Sequence, residues 1–266
     1  MLPLLCAAAL TTACGEDAVQ EIAGPPPGGS AVRFFNFGPS APGVNFYAND
    51  KKVTAISSTT CAVLTDANRE MCTTTGSEPT TGVSYGGVAS GGYYSDLSPG
   101  QTSLSAKIAA TTDKGLAVTT VSADLAVGKY YSFYVSGVYS TSTKSAEGFV
   151  VEDAIPARDH AVAYVRFVHA IANGNAMTLY AKNTTTGVES PVGGAVSYKG
   201  GGAFVALAPG TYDLGTRYAG SATNAISRTG VAFDAGRVYT IGARGDMTVT
   251  SSSAANRPLL DNAANR

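Results

Sequence analysis

The 266-residue sequence has no tryptophan, only two histidines and few charged residues. Charged residues make up 14% of the chain, whereas soluble domains typically carry about 25%. The formal net charge is -1 and no basic stripe is present, so the electrostatic footprint that a phosphate backbone demands is missing. These shortages argue against a nucleic-acid partner, and two histidines offer little for acid-base or nucleophilic catalysis. No catalytic residue and no cofactor is predicted.

Apolar and small residues are abundant instead. Hydrophobic residues account for 44% of the chain, and there are 31 glycines and 14 tyrosines. This is enough apolar material to build the core of one large domain or two ordinary ones. Helical surfaces would need more Glu, Lys and Arg, so the composition favours an exported β-protein.

The chain begins with a short apolar run that ends in small residues before Cys14, within MLPLLCAAALTTACGED. The run resembles the end of a lipoprotein signal peptide, in which such a cysteine becomes the new N-terminus and carries lipid. It is shorter than the roughly 20 residues that a membrane-spanning helix needs. We predict a signal peptide over residues 1–14, lipidation of Cys14 and anchoring to a membrane of the bacterial cell envelope, periplasmic or surface-exposed. The alternatives are an ordinary cleaved secretion signal and a frayed N-terminus.

The next stretch, residues 15–30, mixes charge with Pro and Gly and has no apolar period. This pattern predicts a flexible tether. Two further cysteines, Cys61 and Cys72, follow in TTCAVLTDANREMCTTTG. In an exported chain an isolated pair of this kind is most simply a disulfide. A metal site would need more ligands and the segment has no His, so no metal is predicted.

The sequence contains an internal repeat. Val32-Arg33-Phe34 recurs as Val165-Arg166-Phe167, and Tyr47 recurs as Tyr180, both 133 positions later. The next block is separated by 113 positions, from 83 to 196, so the first copy has an insertion, which holds both cysteines. The later blocks are Val83-Ser84-Tyr85 with Val196-Ser197-Tyr198, Leu97-Ser98-Pro99-Gly100 with Leu207-Ala208-Pro209-Gly210, and Gly128-Lys129-Tyr130-Tyr131 with Gly236-Arg237-Val238-Tyr239. Because the matched blocks occur in the same order in both halves of the chain, they indicate a duplication.

Within the blocks apolar residues alternate with a period of two, which is typical of half-buried strands. Short strands separated by Pro-Gly turns predict an all-β chain of two tandem antiparallel β-sandwich modules, immunoglobulin-like in architecture. The predicted modules cover residues 31–150 and 160–250, joined by a charged linker. A C-terminal tail, flexible or loosely docked, is predicted over residues 251–266. The only helix expected is a turn or two within residues 62–71.

The matched blocks resemble the bacterial cell-surface module known as domain of unknown function 4397, which often occurs in tandem behind a lipoprotein signal. Its members typically open with V-R-x-x-H-A-S-P-D-A-P and V-D-V-Y, and later show S-Y, a Leu-Pro-Ala-Gly-Thr-Tyr turn and a Gly-Lys-x-Tyr-Thr strand. The copies here read VRFFNFGPSAPGVNFY from Val32 and VRFVHAIANGNAMTLY from Val165. Asn36 replaces the His in the first copy. The resemblance implies a cell-envelope β-sandwich without established chemistry.

Tyrosines are the candidate binding residues, because each combines a flat apolar ring with a hydroxyl that suits protein or sugar surfaces. The candidates are Tyr93, Tyr94, Tyr130, Tyr134 and Tyr139. His169 shares a strand face with Val165 and Phe167, so we interpret it as a structural residue. Asp153, Asp159 and His160 are interpreted as solvated charges of the linker.

Three functions follow as hypotheses. The first is a non-enzymatic envelope lipoprotein whose paired sandwiches act as a binding or spacer module, with an envelope protein or glycan as partner. The second is a hydrolase of envelope polysaccharide that uses carboxylates such as Asp96, Asp124 or Asp213. The third is a structural or assembly subunit that joins molecules through strand edges.

Overall fold

The computed structural model describes residues 28–53, 56–64, 69–77 and 81–265, with the backbone alone for the strands between 56 and 77. The predicted all-β fold of two tandem β-sandwiches is confirmed, since the long elements of these residues are all strands. Residues 1–27 lie outside the described residues. The signal peptide, the lipidation of Cys14 and most of the tether therefore stay predictions. No helix among the described residues is long and apolar enough to cross a membrane.

Module 1 consists of two four-stranded sheets around one core. Its strands are β1 Ser30–Asn36, β2 Val44–Ala48, β3 Lys51–Lys52, β6 Ser95–Leu97, β7 Gly100–Ile108, β8 Ala117–Leu125, β9 Tyr130–Ser140 and β10 Ser145–Glu152, with a 3-10 turn over Ala89–Gly92. Sheet A has the order β10-β9-β1-β6 and sheet B the order β3-β2-β7-β8. Alternate residues of facing strands, such as Val32, Phe34, Phe46 and Phe133, fill the core.

Module 2 repeats this arrangement. Its strands are β11 Ala163–His169, β12 Met177–Asn183, β13 Glu189–Pro191, β14 Val205–Leu207, β15 Gly210–Tyr218, β16 Ile226–Phe233, β17 Val238–Arg244 and β18 Leu259–Ala264. Sheet D has the order β14-β11-β17-β18 and sheet E the order β13-β12-β15-β16. The prediction of purely antiparallel sheets is wrong in one respect. In each module the first strand pairs in parallel with a late strand, β1 with β9 and β11 with β17. The other named strand pairs of the described residues are antiparallel.

The insertion in the first copy contains a separate hairpin, sheet C, formed by β4 Ile56–Leu64 and β5 Arg69–Ser77. The helical turn expected within residues 62–71 is wrong for the described residues 62–64 and 69–71, which pair across the hairpin. Cross-strand pairing satisfies their backbone groups. The register sets Cys61 opposite Cys72. The two side chains lie outside the described part of the structure, so the disulfide stays a prediction.

The prediction of a flexible or loosely docked C-terminal tail is wrong for residues 259–264. These residues form β18, which pairs with β17 from end to end and places Leu260 in the core of module 2. The segment reads LLDNAA and lacks a clear period of two. Its strand conformation is imposed by the free edge of β17, which offers backbone hydrogen bonds that local sequence does not reveal.

Candidate functional site: the interface between the two modules

Sheets A and D bury a second face of their central strands against each other. All seven residues of β1 are buried, and so are Tyr131–Gly137 of β9. A strand that covers a core with one face keeps its other face polar only if that face meets water. Here Val32 and Phe34 point into the core of module 1, while the alternate residues Arg33 and Phe35 face module 2.

Module 1 contributes a cluster of aromatic rings to this interface. Phe35 stacks on Tyr134 with ring centroids 4.6 Å apart, and Tyr134 stacks on Phe149 at 5.0 Å. Phe37 packs against the first two rings at 5.2 and 5.5 Å. Complete burial raises the pKa of the Tyr134 hydroxyl. These four rings form the apolar centre of the interface together with Val168 of module 2.

Module 2 meets this cluster with small side chains. Val168 and Ala170 belong to the same buried cluster as the rings, and Ala263 packs against it. Phe37 lies directly over Gly242, where an added Cβ would be 2.7 Å from the ring. Real Cβ atoms do not approach that closely, so Gly242 is required by the position of the Phe37 ring.

A buried ion pair lies beside the aromatic cluster. The Arg166 guanidinium of module 2 donates to the Asp153 carboxylate, which directly follows the last strand of module 1. Both side chains are almost fully buried, at 2% and 0% exposure. Arg166 also donates from Nη1 to Glu152 O at 2.9 Å and from Nε to Thr240 Oγ1 at 3.0 Å. A buried pair of this kind is tolerated only when further hydrogen bonds satisfy the remaining donors.

Asp153 also ties residues of module 1 to the end of module 2. Its second carboxylate oxygen accepts from Ser132 Oγ at 2.7 Å and from the Tyr94 hydroxyl at 2.5 Å. The Tyr94 hydroxyl in turn accepts from Nδ2 of Asn265 at 2.8 Å. Burial, with the nearby Asp153 charge, raises the pKa of Tyr94 and keeps the hydroxyl protonated as a donor.

Arg33 makes the reciprocal contact from module 1. Its Nη1 donates to Ala264 O of module 2 at 2.6 Å, just as Arg166 donates to Glu152 O of module 1. The Arg33 Cζ lies 4.9 and 5.0 Å from the ring centroids of Phe35 and Tyr94. Among the described residues, its Nε and Nη2 have no hydrogen-bond partner. In module 2 the position that corresponds to Asp153 is Asn265. Arg33 therefore has no carboxylate partner equivalent to the one that Arg166 has.

The tyrosines of the repeated Ser-Tyr block also cross the interface. Arg244 of module 2 stacks on Tyr85 of module 1 with its Cζ 4.7 Å from the ring centroid. In the opposite direction, Ser136 Oγ of module 1 lies 2.9 Å from the Tyr198 hydroxyl. Burial raises the pKa of Tyr198 to about 12. Equivalent residues of the two copies therefore make equivalent contacts, as in a twofold-symmetric dimer.

The five candidate tyrosines do not form one exposed surface. Tyr93 has 79% of its surface exposed, whereas Tyr134 has none. Tyr94 and Tyr130 are half-buried and pack edge to face at 5.0 Å. Tyr139 packs against the core of module 1. The placement of Tyr134 on a binding surface is wrong, because the strand that carries it is buried on both faces.

The linker residues divide into one buried group and two exposed ones. The interpretation of Asp153 as a solvated charge is wrong, since it is buried and paired with Arg166. Asp159 and His160 are exposed. The burial of Asp153 was not predicted from the sequence because this residue lies just beyond a strand, and only the docking of module 2 brings Arg166 to it.

His169 is fully buried and hydrogen-bonded on both ring nitrogens. Its Nε2 lies 3.0 Å from Asn175 O, and its Nδ1 accepts from the backbone N–H of Ile171 at 3.2 Å. This arrangement requires the neutral ring with the proton on Nε2. At the equivalent position in module 1, Asn36 Nδ2 donates to Val83 O at 2.9 Å. Both residues stabilise loops beside the first strand.

The three carboxylates suggested for a hydrolase lie in three different sheets. Asp96 is in β6 of sheet A, Asp124 in β8 of sheet B and Asp213 in β15 of sheet E. Asp213 accepts from the backbone N–H of Gly230 at 3.0 Å. Among the residues that the structure describes, no group of three or more His, Cys, Asp or Glu side chains could hold a metal ion.

These features define a tandem β-sandwich protein whose two copies dock through the face that carries the repeated Arg. The chain belongs to the family described as Domain of unknown function (DUF4397), whose model matches residues 30–180 and again 163–265. The resemblance seen in the sequence is thereby confirmed, and the second match includes β18. No curated protein matches the chain.

Burial of His169 makes the stability of the protein depend on pH. Burial lowers the pKa of His169 below its usual 6.5, so the folded state resists protonation that the unfolded chain accepts. The resulting stability is present above pH 6.5 and is lost as pH falls through the lower folded-state pKa. We expect His169→Asn, which installs the residue of module 1, to reduce the loss of unfolding free energy as the pH falls below about 6.5. Urea unfolding at several pH values measures this pH dependence of the unfolding free energy. The exposed His160→Asn is the control, and equal pH dependence in both variants would contradict the assignment.

The Arg166–Asp153 pair predicts a large effect of removing one partner. Arg166→Met leaves the Asp153 carboxylate buried without its cation, which typically costs about 3–5 kcal/mol of unfolding free energy. Arg166→Met/Asp153→Leu should recover part of the loss, because no unpaired charge remains. The control is Lys129→Met, which breaks the exposed pair with Glu152 and should leave stability near that of the wild type. Equal stability of Arg166→Met and the wild type in urea unfolding would rule out a tightly docked interface.

Proposed function

We propose that this protein is a non-enzymatic cell-envelope lipoprotein, in which two docked β-sandwich modules act as one spacer or binding body held to a membrane through Cys14. The observation that carries the proposal is the interface between sheets A and D. A spacer or presenting scaffold needs a defined orientation of its parts. The reciprocal arginine contacts and the aromatic cluster supply it.

The sequence around Cys14 supports the anchor. Residues 15–29 connect that cysteine to β1, which starts at Ser30. An extended chain advances at most about 3.3–3.6 Å per residue, so this segment can reach roughly 50 Å from the anchor. The proposed lipoprotein would thus present both modules away from the membrane surface.

An envelope protein or glycan is the proposed partner of this body. Tyr93 supports such a role best among the candidate tyrosines, because it has the most exposed ring, with 79% of its surface accessible. Exposed tyrosines suit both kinds of partner. The hydrolase and the assembly subunit stay alternatives without an observation that favours them.

The register of sheet C supports a disulfide between Cys61 and Cys72. Residues directly opposite each other in an antiparallel pair have Cα atoms about 4.5–5.5 Å apart, which lies within the roughly 4.4–6.8 Å that disulfides span. Cys61 and Cys72 are such a pair. The bond would join the two strands of an otherwise separate hairpin, and a two-stranded hairpin alone is only marginally stable.

Intact-mass analysis of the protein purified from membranes of its native host tests both features. We expect the mass of a chain that begins at Cys14 and carries acyl groups, increasing on reduction by the hydrogens of one disulfide. Cys14→Ser is the matched variant and should leave the membrane fraction. Recovery of the wild-type protein as an unlipidated chain in the cytosolic fraction would refute the proposed function.

A further inference from the structure

The two faces of the interface have equivalent backbones but side chains of opposite size. Tyr134 is the register partner of Phe35 in module 1, and Gly242 is the register partner of Val168 in module 2. The same difference is found at four equivalent positions of the aromatic cluster, whereas Arg244 of module 2 is larger than the equivalent Ser136 of module 1. The equivalent positions, with module 1 first, are Phe35 and Val168, Phe37 and Ala170, Tyr134 and Gly242, and Phe149 and Asp261.

Two identical faces would not pack as these two do. In the observed pair the ring of Phe37 lies over Gly242 with no room for a Cβ. Against a second module 1, the same ring would meet Tyr134, and overpacking of this kind is destabilising. Two copies of module 2 would instead bring small residues together and leave unfilled space, which is also unfavourable.

The two modules also differ in the charged residues that they bring to the interface. Only module 1 supplies an acid at the end of its last strand, Asp153, which pairs with Arg166. The equivalent residue of module 2 is Asn265, which follows β18. The observed pair buries one arginine, Arg33, without a carboxylate partner. Two copies of module 2 would bury two arginines in that state, and a buried unpaired charge is strongly unfavourable.

We infer that this interface is a recognition surface specific for the unlike module, so that module 1 accepts module 2 and excludes a second module 1. Specificity of this kind arises from clashes and unpaired charges in the wrong pair as well as from good contacts in the right one. When many chains lie close together on a surface, the two modules of each chain then stay paired with each other. Different chains do not associate through the aromatic faces of their first modules. The inference depends on the docked interface and not on the lipid anchor.

A double-mutant cycle that moves the large side chain from position 37 to position 242 tests the packing of Phe37 on Gly242 directly. Gly242→Phe should lower the thermal midpoint because the new ring collides with Phe37, and Phe37→Ala should lower it by leaving a cavity. In Phe37→Ala/Gly242→Phe the large residue returns on the opposite side, so the loss should be smaller than the sum of the single losses. Additive losses would overturn the size complementarity. Ser227→Phe, an exposed change in sheet E, is the control for added apolar bulk.

A cut chain tests the specificity. A site-specific protease sequence inserted between the exposed Arg158 and Asp159 allows the folded protein to be cleaved between the modules. We expect the halves of the wild type to elute together from a sizing column. Val168→Phe/Ala170→Phe/Gly242→Tyr copies three of the four aromatic-cluster residues of module 1 onto module 2. Its halves should elute separately while far-ultraviolet circular dichroism still shows folded sheets.

The outcomes of the cut-chain experiment are distinct. Halves of the triple variant that still elute together would overturn the specificity, because like faces would then pair. Halves of the wild type that separate would refute the docking itself, whatever the mass of the membrane-bound protein. A control with Thr211→Phe and Ser227→Phe, both exposed in sheet E, should elute as the wild type does. If the triple variant does not fold, the single and double variants at Phe37 and Gly242 test the size complementarity instead, and additive losses among them would overturn the inference.

Discussion

The burial of an arginine-bearing strand face between two sheets is the constraint on which the rest of the structure depends. Arg33 and Arg166 lie in the middle strands of sheets A and D, and a guanidinium cannot be left there without partners. Each reaches a carbonyl at the end of the other module, and Arg166 also pairs with Asp153. The last strands β10 and β18 must therefore be ordered to their ends, which explains why the C-terminal segment is part of the sandwich.

The repeat and its departures have different physical meanings. Residues that are alike in both copies, such as the Val-Arg-Phe and Ser-Tyr blocks, build the two cores and the reciprocal contacts. Residues that differ, such as Tyr134 and Gly242, make the two faces complementary in size. A duplicated module with identical faces could pair with any copy of itself, whereas divergence of a few interface residues restricts the pairing.

The sequence predicted the strands and the repeat because both depend on local patterns. Apolar alternation through Val32 and Phe34 appears as expected. The Pro-Gly pairs at 99–100 and 209–210 also lie where one strand ends and the next begins. The interface was not predicted, although Val-Arg-Phe-Phe and Val-Arg-Phe-Val are apolar on both strand faces around one arginine, which is the pattern of a strand buried on both sides. β18 and the burial of Asp153 could not be predicted locally, because a distant strand edge and a distant arginine impose them.

The central claim is that the two modules form one body with a fixed orientation. Residual dipolar couplings of backbone amides in a weakly aligned sample test this most directly. We predict that one alignment tensor fits the couplings of module 1 and module 2 together, with the relative orientation seen in the structure. Two different tensors, each fitting one module alone, would contradict the account and indicate modules that move independently about the linker.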